Sequence, residues 1–156
     1  MNESDTYILF ELAGSTYGIR SEQVQRVELL EHLTPVPNTA PSVDGVIFSR
    51  GKVLPALNLR ARFGLPRQPH TRQTRVILLN VRQRAVALIV DAAREFRKIP
   101  ADTIRPIAET LHGVEGNYVE GVATVKDRLV LLLDVGAVLN PEEINLPAGA
   151  PSAPLA

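Results

Sequence analysis

The fold is decided by residues 45–59, Gly-Val-Ile-Phe-Ser-Arg-Gly-Lys-Val-Leu-Pro-Ala-Leu-Asn-Leu. They align without a gap on residues 121–135, Gly-Val-Ala-Thr-Val-Lys-Asp-Arg-Leu-Val-Leu-Leu-Leu-Asp-Val, at an offset of 76 residues. In both copies a basic residue opens the turn, and Asn or Asp closes the second strand. Residues 8–19 resemble residues 77–88 at the nearby offset of 69. The chain is therefore an internal duplication.

Short apolar blocks bounded by turn residues predict five strands in each half. In the first half they are 7–12, 16–19, 24–30, 43–49 and 52–58, and in the second half 75–81, 84–90, 94–99, 118–125 and 128–133. Gly51 supplies the positive φ that the tight turn after Arg50 requires. Short helical turns are expected to begin at Leu59 and Asp134, where each half ends.

The domain organisation follows from this duplication. Five short strands in an open sheet would leave exposed edges, so we expect each half to curl into a small barrel. The boundaries are 5–64 for the first subdomain, 64–73 for a linker rich in Pro and Arg, and 74–142 for the second subdomain. Residues 143–156 have too little apolar surface to offset the cost of ordering and are expected to be a disordered tail. Two adjacent barrels would share an apolar seam, a natural place for a partner's helix.

Composition excludes several classes of protein. There is no cysteine, so disulfides and thiolate chemistry are ruled out. No signal segment and no apolar run of membrane-spanning length is present, which predicts a cytoplasmic protein without membrane insertion. The net charge is zero, yet residues 50–105 hold 13 of the 17 Lys and Arg with only three acids. This asymmetry marks either a binding face or ordinary solvated strand edges.

No residue set predicts catalysis. His32, His70 and His112 have no second ligand at metal-binding spacing. The serines lack a nucleophile-elbow setting, and the glycines form no phosphate-binding loop. Three carboxylates at strand ends or turns are better explained by local backbone hydrogen bonds than by acid-base chemistry: Asp91, Asp127 and Asp134. We therefore predict no catalytic residue, no metal site and no cofactor.

Residues 43–63, Val-Asp-Gly-Val-Ile-Phe-Ser-Arg-Gly-Lys-Val-Leu-Pro-Ala-Leu-Asn-Leu-Arg-Ala-Arg-Phe, resemble the signature segment of CheW-like proteins. Further landmarks are found in the same order at Tyr17-Gly18-Ile19 with Val24-Gln25, at 87–91, and at Ile104-Arg105-Pro106. The resemblance covers residues 5–142. It implies an all-β fold of two five-stranded SH3-like barrels, in agreement with the duplication.

The resemblance also implies a function, that of a non-catalytic adaptor in chemotaxis or a related signalling pathway. Its expected partners are the regulatory domain of a CheA-type histidine kinase and the cytoplasmic tip of a chemoreceptor. Receptor helices would dock between the barrels and the kinase at barrel ends, in arrays under the inner membrane. Two other hypotheses remain open, a small-barrel nucleic-acid-binding protein and an enzyme with a pocket between the barrels.

Candidate partner-binding residues follow from the match. Arg50 and Gly51 occupy the family's Arg-Gly turn, although Gly51 can equally serve the turn alone. Four further positions could line the apolar seam, with core packing as the alternative for each: Val46, Phe48, Val86 and Val122. Two departures stand out, since Arg26 replaces a common acid on the receptor-facing strand and Phe48-Ser49 replaces Asn-Leu. Such departures predict altered partner choice more than altered fold.

Overall fold

The computed structural model describes residues 4–81, 83–106 and 118–139. The first part of the chain contains strands β1 (Ser4–Leu12), β2 (Ser15–Arg20), β3 (Val24–Leu29), β4 (Leu33–Thr34), β5 (Val43–Ser49) and β6 (Lys52–Asn58), followed by the helical turn α1 (Leu59–Arg62). The second contains β7 (Arg75–Val81), β8 (Arg84–Val90), β9 (Ala92–Pro100), β10 (Arg105–Pro106), β11 (Val119–Val125) and β12 (Arg128–Leu133), followed by α2 (Val135–Val138). The predicted tail and His112 lie outside the described residues.

These strands form two sheets with the same plan. Sheet 1 has the order β10-β11-β12-β2-β1-β9, and sheet 2 has the order β3-β7-β8-β6-β5-β4. Each sheet contains five strands of six to nine residues and one two-residue strand at an edge. The all-β class and the two-unit architecture predicted from the duplication are confirmed, with this short edge strand added to the predicted five.

The composition of the sheets corrects the predicted subdomain boundaries. Hairpin β1–β2 pairs with strands of the second half, and hairpin β7–β8 pairs with strands of the first half. Residues 5–64 and 74–142 therefore do not form separate sheets. The duplicated hairpins are exchanged because each finds a long antiparallel partner in the opposite half. Strand β1 pairs with β9, and β7, which corresponds to β1 in the repeat, pairs with β3.

Each exchanged hairpin is also joined to the opposite half by a parallel strand pair, and the two pairs are equivalent. In sheet 2, Ala56 of β6 pairs with Ala87 of β8. In sheet 1, Leu132 of β12 pairs with Gly18 of β2. The offsets found in the sequence map one pair onto the other, so the duplication is expressed as the same register in both sheets.

The core consists of three apolar clusters, which follow from strand alternation. In β7 and β8 successive residues face opposite sides, so Val76, Leu78, Ala87 and Ile89 belong to a cluster within sheet 2. Ile77, Leu79, Val86 and Leu88 belong instead to a central cluster between the sheets. A third cluster within sheet 1 includes Tyr7, Leu9, Ile99, Ala123, Val130 and Leu132.

The central cluster fills the seam between the two sheets. Four buried rings cross it in a chain of contacts, with centroids 5.5–5.7 Å apart: Phe10, Tyr17, Phe63 and Tyr118. Arg62 of α1 donates from Nε to the carbonyl of Val138 in α2 at 3.0 Å, which ties the two helical turns together. The predicted seam is apolar, but the protein's own side chains occupy it.

Both predicted helical turns are present, and a polar side chain caps each of them. Asn58 Oδ1 accepts a hydrogen bond from the Ala61 amide at 3.1 Å. Asp134 Oδ1 accepts one from the Ala137 amide at 3.2 Å. Both side chains satisfy an amide that the first turn would otherwise leave without a partner. Within the described ranges, no helix has the length and apolar character needed to cross a bilayer.

Candidate partner-binding surface

The Arg50-Gly51 turn joins β5 to β6 and lies exposed at one end of sheet 2. Both residues have left-handed backbone, with φ of 50° and 81°, as two-residue hairpin turns favour. A Cβ on Gly51 would meet no atom within 4 Å, so the positive φ and not crowding favours glycine there. The equivalent turn, Lys126 and Asp127, has φ of 51° and 63°. The turn geometry therefore does not depend on an arginine, and the Arg50 side chain is available to solvent.

Arg26 and Ser49, two of the departures from the CheW-like pattern, are in direct contact. Arg26 Nη2 donates to Ser49 Oγ at 2.5 Å, and Arg26 Nε donates to Glu28. Ser49 Oγ also lies 3.3 Å from each carboxylate oxygen of Glu28. The three side chains form one network, so the two departures act together. Sequence reasoning missed Glu28, although strand alternation places residues 26 and 28 on the same face.

This network borders a concave surface of about 530 Å³ at the end of sheet 2. We call it the basic mouth. Its lining residues are Gln25, Arg26, Ser49, Arg50, Lys52, Leu54, Asn80, Gln83 and Ala85. Leu54 and Ala85 belong to the apolar cluster within sheet 2 and form its floor. Three of the lining residues are cations, and because Glu28 is paired with Arg26, the positive potential of the mouth comes mainly from Arg50 and Lys52.

An apolar strip lies on the outer face of the same hairpin. Phe48 is 71% exposed, the highest value among the exposed large apolar side chains of the described residues. It pairs across the strands with Val53, and the half-buried Val46 lies two residues before it on the same face. These three residues, the Phe48 strip, offer an apolar contact area beside the turn that leads to the basic mouth.

The structure separates the remaining two predicted residues from this surface. Val86 is 1% exposed and packs in the central cluster, so its side chain cannot contact a partner. For Val86 the core-packing alternative applies, because the residue faces the seam and the seam is filled. Val122 is half-buried in β11 of sheet 1, opposite Leu131, and so does not belong to the surface that carries Phe48 and Arg50.

The carboxylates considered for catalysis have structural partners instead. Asp91 accepts hydrogen bonds from Arg60 Nε and Nη2 at 2.9 and 2.7 Å and from the Ala13 amide at 2.9 Å. Burial raises the pKa of the Asp91 carboxyl, but the bonds from Arg60 and Ala13 outweigh burial and lower it. A carboxylate whose pKa is lowered and which accepts three hydrogen bonds within the protein is poorly suited to proton transfer. Asp134 caps α2, and Asp127 occupies its hairpin turn.

No grouping for a metal ion is found among the residues that the structure describes, where clusters of three or more His, Asp or Glu are absent. His32 and His70 are exposed, the first between β3 and β4 and the second in the segment before β7. The described surface is therefore one of contact residues, with cations and an apolar strip in place of converging catalytic groups.

Comparison with known proteins agrees with this description. The family model described as "CheW-like domain" matches residues 6–143. The chemotaxis protein CheW of Klebsiella aerogenes is 30% identical over 140 residues, which cover 90% of this chain and 84% of that protein. The CheW protein of Bacillus subtilis is 33% identical over 135 residues, covering 86% of each. The crystal structure of the scaffolding protein TtCheW from Thermoanaerobacter tengcongensis superposes with a TM-score of 0.84 at 25% identity, covering 93% of this chain and 99% of that one. On the strength of the family model and these relatives, the chain belongs to the CheW-like domain family.

Proposed function

We propose that this chain couples a chemoreceptor to a CheA-type histidine kinase by holding the kinase's regulatory domain against the receptor's cytoplasmic tip. As a member of the CheW family, the chain is a chemotaxis adaptor and not an enzyme. The observation that carries the proposal is the contact surface on sheet 2, where the basic mouth adjoins the Phe48 strip.

This surface has the composition of a protein interface. Exposed aromatic and arginine side chains contribute most to binding energy at such surfaces, and Phe48 and Arg50 are both exposed and two residues apart. A single small surface gives modest affinity, so the adaptor would rely on simultaneous contacts within an array. We place the protein at receptor arrays beneath the inner membrane, where both partners are present.

The two departures from the family pattern bear on partner choice. Arg26 is held by Glu28 and Ser49, so its guanidinium has a fixed position at the rim of the basic mouth. A cation fixed at an interface rim favours a partner with a carboxylate opposite it and disfavours one with a cation there. We infer that the cognate receptor or kinase differs from standard ones at this contact, and that the pathway need not control swimming.

The nucleic-acid-binding hypothesis is not favoured. The family match assigns the chain to signalling adaptors, and the molecule has no net charge. Sequence-independent binding of single strands requires aromatic side chains along a basic groove, and no aromatic residue lines the basic mouth.

The test is a binding measurement with a CheA-type kinase and a chemoreceptor from the source organism. The purified regulatory domain and the receptor tip are each titrated with wild type, Arg50→Ala and Arg26→Glu, using Arg72→Ala in the exposed linker as the control. We expect wild type and the control to bind at least one partner equally well, and the two surface variants to bind about tenfold more weakly. Absence of binding to both partners by the wild type would refute the adaptor proposal.

A further inference from the structure

The duplication gives sheet 1 a second concave surface at the position equivalent to the basic mouth. This duplicate mouth has a volume of about 360 Å³ and is lined by Leu9, Thr16, Arg94, Glu95, Val125, Lys126, Arg128 and Val130. The repeat offsets relate the two linings: Arg50 corresponds to Lys126, Lys52 to Arg128, Gln25 to Arg94, Arg26 to Glu95 and Ser49 to Val125. The strand registers agree with these offsets, because Val27 pairs with Ile77 as Phe96 pairs with Ile8. The two mouths can therefore be compared position by position.

The comparison reveals a reversed ion pair. In β3, Arg26 pairs with Glu28, whereas at the equivalent positions of β9 Glu95 pairs with Arg97 at 3.3 Å. The residue that lines each mouth is the first of its pair, Arg26 in one case and Glu95 in the other. Equivalent positions in the two mouths thus present opposite charges to an approaching partner.

A second difference increases the contrast. Glu11 in sheet 1 pairs with Arg94 at 2.9 Å and with Arg128 at 3.8 Å, so one carboxylate lies beside two of the three cations of the duplicate mouth and offsets one positive charge. The residue equivalent to Glu11 in sheet 2 is Asn80, which is neutral and lines the basic mouth. In the part of the chain that the structure describes, Arg50 and Lys52 form no ion pair, and both are exposed.

We infer that the basic mouth is the docking site of an acidic segment of a protein partner, and that the duplicate mouth does not bind such a segment. This inference rests on the proposed adaptor function and specifies the chemistry of one contact. Arg50 and Lys52, which form no ion pair among the described residues, attract carboxylates, whereas Arg26 is already paired with Glu28. Three neutral amide side chains, Gln25, Asn80 and Gln83, add hydrogen-bond donors. A protein segment is favoured over a nucleic acid because a 530 Å³ concavity without aromatic lining has no platform for stacked bases.

The experiment compares two matched charge reversals. Arg50→Glu and Lys126→Glu both replace the first residue of a hairpin turn, each exposed and with φ near 50°. Both variants therefore place a glutamate at the same left-handed position of two equivalent turns. Lys52→Glu adds a substitution in the basic mouth outside the left-handed positions. The full chain and its three variants are titrated with the regulatory domain of the same CheA-type kinase and with the receptor tip. The titrations are made at about 50 mM NaCl, where charges are weakly screened, and at about 300 mM NaCl, where they are strongly screened.

For at least one partner, we expect wild-type affinity to fall about fivefold or more at the higher salt concentration. Arg50→Glu and Lys52→Glu should each weaken binding of that partner by about tenfold at low salt, while Lys126→Glu stays within about twofold of wild type. The inference is overturned if salt has no effect on affinity, or if Lys126→Glu weakens binding as much as Arg50→Glu.

If the wild type binds neither partner, the adaptor proposal fails. Titration with a hexaglutamate peptide, followed by NMR, then tests the acidic docking site independently. Peptide-induced NMR shifts at Lys52 and Asn80 that are lost in Arg50→Glu and kept in Lys126→Glu would support the acidic docking site. Absence of those shifts would overturn it, as would tighter binding of a single-stranded DNA oligonucleotide than of the peptide.

Discussion

Arg60 donates two hydrogen bonds to the Asp91 carboxylate, from Nε to Oδ1 at 2.9 Å and from Nη2 to Oδ2 at 2.7 Å. Arg60 belongs to α1 at the end of the first half, and Asp91 follows β8 in the second half. The same carboxylate accepts the Ala13 amide from the β1–β2 turn at 2.9 Å. One side chain therefore joins three segments that are distant in sequence, where the exchanged hairpins meet.

Replacing this carboxylate should destabilise the fold. We expect Asp91→Asn to lower the free energy of unfolding by about 1–2 kcal/mol, because charge-assisted hydrogen bonds to a partly buried group are lost. Urea denaturation measures the change. Asp5→Asn is the control, since the ion pair of Asp5 with Arg20 at 3.7 Å is exposed, and the substitution should cost less than about 0.5 kcal/mol. Equal effects of the two substitutions would contradict the role assigned to Asp91.

The same interaction predicts a dependence on pH. Although burial raises the pKa of Asp91, the bonds from Arg60 and Ala13 lower it below its ordinary value of 3.8 in the folded protein. The folded state therefore binds this proton less readily than the unfolded state. The resulting stability is complete above the ordinary pKa and is lost as the pH falls through the lowered folded value.

The measurement is the difference in unfolding free energy between wild type and Asp91→Asn as a function of pH. We expect this difference to be constant above about pH 5 and to shrink as the pH falls below about 4. A difference that grows with acidity would contradict the direction of the shift.

The ring chain in the seam should carry much of the stability between the sheets. Phe63 is 3% exposed, and its centroid lies 5.6 Å from Tyr17 and 5.5 Å from Tyr118. Phe63→Ala should lower the free energy of unfolding by about 3–5 kcal/mol, because a large cavity is created in the central cluster. Phe63→Leu, which keeps most of the volume, should cost clearly less in the same urea titration. A loss below about 1 kcal/mol for alanine would show that the seam is not tightly packed.

Two glycines of the β5–β6 hairpin should respond differently to alanine. A Cβ on Gly45, whose φ is +149°, would lie 2.1 Å from the Thr34 carbonyl oxygen, whereas one on Gly51 meets nothing within 4 Å. Gly51→Ala should therefore cost only the strain of its positive φ, about 1–2 kcal/mol. Gly45→Ala should cost more than that, because β4 must move away from β5. Thermal unfolding of both variants tests the order, and a smaller cost at Gly45 would contradict the close approach.

The exchanged hairpins predict that neither half folds alone. In a fragment of residues 1–68, the β1–β2 hairpin would lack its partners β9 and β12, and in the remaining fragment β7–β8 would lack β3 and β6. We expect each fragment to show little β-sheet signal by circular dichroism, and a mixture of the two to recover it. A cooperative unfolding transition in either isolated fragment would contradict the exchange.

Much of the candidate surface could be predicted from the chain, and some of it could not. The Arg50-Gly51 turn is local, so its residues and backbone conformation follow from neighbouring positions. The contact between Arg26 and Ser49 spans 23 residues and depends on how β3 and β5 are placed in sheet 2. The same limit applies to Val86, whose two alternatives differ only in which face of β8 is covered. An apolar residue in a strand of alternating pattern can face either side, and only packing decides which side is covered.

The sequence by itself determined the ten main strands, their repeated turns, the two capped helical turns and the family, because each depends on residues close together in the chain. Tertiary structure alone decided that the halves exchange hairpins, that the seam is filled, and that one mouth is basic while the lining of its duplicate includes a carboxylate. The physical reason is that strand-forming patterns specify which segments extend but not which edge each segment joins. Pairing is selected by the burial of all the strands at once.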